Sequence, residues 1–125
     1  MKFVPESLEG ANMIARHEPA RLWVSGVVHE RSVLVPWIGT VAPWAVSAWS
    51  DLSVADFERM ASFDPELVIF GSGARMRFAP PALLRPLVER RIGIECMDTA
   101  AACRTYNVLV SERRSVLAAL LVGVA

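Results

Sequence analysis

The sequence predicts an α/β fold: one three-layer domain over residues 1–125, with a central mixed, mostly parallel sheet flanked by helices and an N-terminal antiparallel meander. Three observations carry this expectation. Residues 11–36 alternate short apolar runs with the breakers His17-Glu18-Pro19, Ser25-Gly26 and His29-Glu30-Arg31, the pattern of hairpin strands. From Leu67 onward, continuous apolar runs alternate with helical patterns, as expected of strands buried on both faces and joined by crossovers. With 125 residues and 54% hydrophobic content, the chain buries roughly two-thirds of its unfolded surface, enough for a core without disulfides.

The elements follow in order. Leu22, Val24, Val27, Val28, Val33 and Val35 give the meander its β-branched, alternating character. Residues 37–51 hold Trp37, Trp44 and Trp49 with Gly39 and Pro43 between them, which reads as an ordered loop with a short strand. Ser53 opens a helix, with Asp56 placed to complete a capping box and Phe57, Met60 and Ala61 on one face. Leu67 to Phe70 reads as a strand. A helix is expected from about Pro81 to Arg91, because proline suits a first helical position and Leu83, Leu84, Leu87 and Val88 form a stripe. A strand over Ile92 to Met97, a helix over Thr99 to Val110 capped by Asp98 or Thr99, and a strand over Val116 to Val122 complete the chain.

Charge excludes partners more readily than it names them. Thirteen basic and thirteen acidic residues cancel, leaving a pI near 6.7 and no global field to hold nucleic acid. The distribution is uneven: residues 1–70 carry five bases against nine acids, and residues 71–125 carry eight arginines against four acids. The first ten residues mix Lys2 with Glu6 and Glu9 and lack the apolar stretch of an export signal. Residues 37–49 and 116–125 are greasy but shorter than the roughly 18 to 20 apolar residues that span a bilayer, so no transmembrane segment is expected. Two cysteines, Cys96 and Cys103, without paired spacing fit a reduced cytoplasm. His17-Glu18 and His29-Glu30 could face each other across a hairpin as a metal site, yet their spacing matches no ligand motif, and neither a metal nor a cofactor is expected.

Ligands of parallel sheets gather beyond the carboxyl ends of the strands, where loops lead into helix amino termini. Two loops qualify. In the first, Gly71 and Gly73 would let amides approach an anion, Ser72 would offer a hydroxyl, and Arg75 and Arg77 would supply countercharge. The second brings Asp98 and Thr99. The plainer readings stand beside this one: the glycines turn the chain, since Met76 occupies the place of a third glycine, and Asp98 caps a helix. Cys96 reads as a nucleophile or as a small buried strand residue. Trp37, Trp44 and Trp49 divide between core packing and a partner-binding surface.

The run Glu95-Cys96-Met97-Asp98-Thr99-Ala100-Ala101-Ala102-Cys103-Arg104-Thr105-Tyr106-Asn107-Val108-Leu109, with Gly71-Ser72-Gly73 after an apolar strand, resembles the MTH-type small α/β domain family. That family includes an adipogenesis-associated vertebrate protein and mitochondrial complex I assembly factor 3. The resemblance implies a three-layer fold, a role in assembly for the mitochondrial members, and no established active site. The family's Gly-Thr-Gly appears here as Gly71-Ser72-Gly73, and its Met-Asp-Thr and Thr-Tyr-Asn are intact. Its Glu-Gly-Arg becomes Glu112-Arg113-Arg114, which implies a differently built turn if that glycine needs positive φ. The function expected is a non-enzymatic protein-binding or assembly domain with a protein partner, and a homo-oligomer is left open. The alternative is an enzyme or sensor that binds a small anion or nucleotide at the Gly71 loop.

Overall fold

Hairpin chemistry shapes the first elements of the computed structural model, which describes residues 10–125. The segment containing Lys2, Glu6 and Glu9 lies outside the described residues. Strands β1 (Ile14–Glu18), β2 (Arg21–Val24) and β3 (Val27–His29) form an antiparallel three-stranded sheet. Ser25 and Gly26 turn the second hairpin with φ of 49° and 86°, the paired positive values that match the twist of the flanking strands. Ile14, Leu22 and Val24 point inward, whereas Val27 and Val28 are exposed.

The larger sheet contains β4 (Val33–Pro36), β5 (Ala42–Pro43), β6 (Leu67–Gly71), β7 (Gly93–Met97) and β8 (Val116–Leu120), in the order β5-β4-β8-β6-β7. β6, β7 and β8 are mutually parallel, and β4 runs antiparallel to both β5 and β8. The sheet is therefore mixed, as expected. The expected meander divides: Val33 and Val35 join the large sheet as β4, whereas β1–β3 form the small sheet that packs on one face beside α3 (Thr99–Ser111).

Each central strand serves two cores because successive side chains alternate between faces. On the α3 side, Val116, Ala118, Leu120 and Ile69 pack with Leu22, Ala102, Tyr106 and Val110. On the other side, Leu117, Ala119, Val68 and Phe70 pack against Phe57 and Met60 of α1 (Val54–Ser62) and Leu87 of α2 (Arg85–Glu89). The result is three layers. Asp56 accepts from the Ser53 amide at 2.8 Å and from its hydroxyl at 3.3 Å, which anchors the start of α1 as its sequence predicts.

The helix expected from Pro81 to Arg91 is not continuous. A 3-10 turn at Pro81–Leu83 is followed by the five-residue α2. Pro86 explains the break: it offers no N–H to the carbonyl four residues back and its ring crowds that carbonyl, so it sits in the first turn of α2 rather than inside a longer helix. Only Leu87 of the expected stripe is fully buried, and Val88 is 67% exposed.

The turn before β8 also differs from expectation. Arg113 adopts φ of 63° itself, so the left-handed turn is retained without glycine, at the steric cost that a Cβ imposes there. Arg113→Gly is expected to raise stability by up to about 1 kcal/mol, less the extra freedom it gives the unfolded chain. Urea titration would show this as a higher midpoint with an unchanged slope.

Candidate functional site

Parallel pairing of β6 and β7 brings the two candidate loops together. Gly71 lies in register with Met97, the Ser72 amide donates to the Met97 carbonyl at 2.8 Å, and the Thr99 amide donates to Gly73 at 2.9 Å. The shared rim exists, but its hydrogen-bonding groups are already occupied by protein. The Gly73 amide donates to Thr99 Oγ1 at 2.9 Å, and the Ala74 amide donates to the Val124 carbonyl at 3.0 Å. Thr99 donates its hydroxyl to Leu121 at 2.7 Å. The buried Ser72 hydroxyl lies 2.7 Å from the Arg75 carbonyl and 3.0 Å from that of Met97, and accepts from the Arg77 amide at 2.9 Å.

The glycines make room for protein rather than for an anion. A Cβ on Gly73 would stand 2.5 Å from the Val124 carbonyl oxygen, and one on Gly71 would stand 3.0 Å from both Thr99 Oγ1 and Leu120 Cδ2. Asp98 accepts from the Ala101 amide at 2.8 Å and so caps α3. Beside this rim is a cavity of about 240 Å³ walled by His17, Ala74, Asp98, Thr99 and Leu121, with no arginine among its lining residues. Arg75 is exposed, and Arg77 turns instead to the Ala125 carbonyl and lies 4.8 Å over the Trp49 ring. An anion there would face an aspartate and no guanidinium. Of the groups expected at an anion site, Gly71, Ser72, Gly73, Arg75, Arg77, Asp98 and Thr99, the amides of Ser72, Gly73 and Thr99 bond protein groups, Asp98 caps α3 and Arg77 turns to Ala125.

Cys96 is not poised as a nucleophile, since burial pushes its thiol up from the ordinary value even though the Ala79 amide donates to Sγ at 3.5 Å. Cys103, inside the α3 core, is pushed up to about 12 by the same cause.

The three tryptophans do not form one surface. Trp44 is 2% exposed, donates its indole N–H to Asp56 at 3.0 Å and meets Phe70 edge-on; it is core, which corrects its assignment to partner binding. Trp37 is half-buried on the α3 side, where it lines a cleft of about 370 Å³ with Ile38, Phe63 and Asp64. Trp49 is half-buried on the other face, edge-on to Phe70. Sequence reasoning missed the loop whose Arg77 lies over Trp49: Met76 is 44% exposed and Phe78 is 76% exposed, one on each side of Arg77 in the chain. The available signal was two large apolar residues in a loop with no helical or strand period to bury them.

Tyr106 and Asn107 form a clasp. The fully buried Tyr106 hydroxyl donates between the Asn12 and Pro36 carbonyls, at 2.9 and 3.1 Å. Asn107 accepts from the Ile14 amide at 2.9 Å and donates to the Ile14 carbonyl at 2.7 Å, so one side chain acts as a strand partner and ties β1 to α3.

His17 and His29 both pair with Leu22, from opposite sides, which separates them by two strand spacings, roughly 10 Å. Burial lowers both imidazoles below their ordinary value; at His17, Asp98 opposes this and Arg104 adds to it. On acidification the unfolded chain takes up these protons first. Stability is therefore present above the ordinary imidazole value of 6.5 and is lost as pH falls through it toward the lower folded values. The melting temperature is expected to drop as pH falls through 6.5, and a His17→Gln, His29→Gln variant to flatten that limb. Glu66, held below its ordinary value by Arg114, acts in a separate window below 4.5.

Comparison with known proteins agrees with the fold. The profile of the family described as "Protein of unknown function (DUF498/DUF598)" matches residues 14–121. An uncharacterized protein of Rhodobacter capsulatus is 34% identical over 90% of this chain and 86% of its own. NADH dehydrogenase [ubiquinone] 1 alpha subcomplex assembly factor 3 is 32% identical in Xenopus tropicalis and 36% in Danio rerio, over 65% of this chain. The chain spans less than half the length of those two relatives, 45% and 48%. A crystal structure of a Bordetella parapertussis protein superposes with a TM-score of 0.85 at 33% identity, covering 90% of this chain and 96% of that one. A Bordetella pertussis protein described as a Mth938-like domain gives 0.83 at 26% identity, covering 98% and 93%. Matched along nearly all its described length and folded as these relatives are, the chain belongs to the DUF498/DUF598 family of MTH-type α/β domains.

Proposed function

We propose that this chain is a non-enzymatic, assembly-factor-like domain that docks a protein partner at the Trp49–Arg77–Phe78 patch. The observation that carries the reading is the loop that holds Phe78, 76% exposed, and Met76, 44% exposed, with the Arg77 guanidinium between them in sequence lying 4.8 Å over the Trp49 ring. Aromatic residues, methionine and arginine are the types enriched where proteins bind one another. The relatives named as NADH dehydrogenase [ubiquinone] 1 alpha subcomplex assembly factor 3 support an assembly-factor-like reading.

Phe78 is open to solvent, so Phe78→Ser is expected to leave stability within about 0.5 kcal/mol. The same change should reduce the protein retained by the immobilised chain from its native extract by about ten-fold, the loss of one interface anchor. Equal retention by the wild-type chain and the variant, or no retention by either, would overturn the reading.

A further inference from the structure

β7 is the last strand of the large sheet on its side, and among the described residues no strand lies beyond it. Its register fixes which peptide groups are already used. The Gly93 amide donates to the Glu66 carbonyl at 3.3 Å, and the Met97 carbonyl accepts from the Ser72 amide at 2.8 Å. Backbone groups alternate in direction along a strand. Gly93, Glu95 and Met97 therefore turn their N–H and C=O toward β6, while Ile94 and Cys96 turn theirs outward. Among the described residues these two outward peptide groups have no hydrogen-bonding partner.

The side chains around this edge are specific. Ile94 and Cys96 are half-buried on the α2 side, and Glu95 is exposed and lies on the opposite face. The Ala79 amide touches Cys96 Sγ at 3.5 Å, so the exposed Phe78 sits one residue from a contact with this strand.

The geometry points to the outer edge of β7 as the place where an extended segment of the protein partner adds as a further strand. This rests on the docking reading above and supplies its chemistry. The Ile94 and Cys96 peptide groups form the ladder, a lysine or arginine of the partner faces Glu95, and an apolar partner residue covers Phe78. Charge decides against a second copy of the chain. The antiparallel register that uses both outward peptide groups pairs Ile94 of one copy with Cys96 of the other. It thereby sets the two Glu95 carboxylates directly opposite each other, an arrangement that destabilises a strand pair.

The test uses the full chain with a displayed library of random peptides long enough to span β7, followed by amide exchange read by NMR. Selected peptides are expected to carry a basic residue within an alternating apolar pattern. When bound, they should slow exchange at the Ile94 and Cys96 amides while those of Glu95 and Met97, already bonded to β6, hold their free-chain rates. Glu95→Lys should weaken these peptides by about five-fold and select acidic ones instead. Peptides that require Phe78 but leave the Ile94 and Cys96 amides unprotected would overturn strand addition and leave the docking reading standing. A selection that yields no Phe78-dependent peptide would remove both. Protection of the same two amides that rises with protein concentration, with no peptide present, would assign the edge to a second copy and overturn the proposal.

Discussion

Gly73→Ala is expected to lower stability by about 3 kcal/mol or more, one of the largest effects of any single methyl in this chain. Two causes add. Gly73 has φ of 98°, a region a side chain rarely adopts, and its new Cβ would stand 2.5 Å from the Val124 carbonyl oxygen. That oxygen also accepts from the Ala74 amide at 3.0 Å, so the final segment cannot retreat without losing a hydrogen bond. Gly39 separates the causes: its φ is 109°, but nothing lies within 4 Å of its would-be Cβ. Gly39→Ala should cost only the backbone strain, about 1 to 2 kcal/mol. Chemical denaturation of both variants checks the difference, and equal losses would contradict the close approach.

Tyr106→Ala is expected to cost about 4 kcal/mol, the range for removing a buried aromatic ring. Tyr106→Phe isolates the hydroxyl. It strips a donor from the Asn12 and Pro36 carbonyls and should cost roughly 1 to 3 kcal/mol. Asn107→Ala acts on the same meander by removing both bonds to Ile14, so its loss should not simply add to that of Tyr106→Phe. Hydrogen exchange gives the local readout: the Ile14 amide should become labile in Asn107→Ala while Ile69, in the centre of the large sheet, remains protected.

The fold was readable in the sequence where a single physical cause acts locally. Ser53 and Asp56 specify a helix start, Ser25-Gly26 specifies a hairpin, and the runs at Leu67 and Val116 specify strands buried on both faces. Pro86 was equally visible, but a proline can kink a helix or sit in its first turn, and only the fold shows that it opens α2. The rim of the sheet was located correctly, because strand order places Gly71 beside Met97. Its occupancy could not be read, since the two loops bond each other through Thr99, Gly73 and Met97 and the remaining partners, Val124 and Leu121, come from the far end of the chain. The tryptophans misled for a related reason. Trp44 and Trp49 are five positions apart in one loop, yet one is sealed against Phe70 and Asp56 and the other shares its surface with Arg77.

β8 is the last of the described strands in chain order but stands between β4 and β6 in the large sheet, with all five of its residues buried. As the chain leaves the ribosome, the pieces on either side of that gap can form early local contacts but cannot join until residues 116–120 arrive. Until then two strand edges and both half-built cores face solvent or a chaperone, so folding of this domain is completed only once residues 116–120 have emerged.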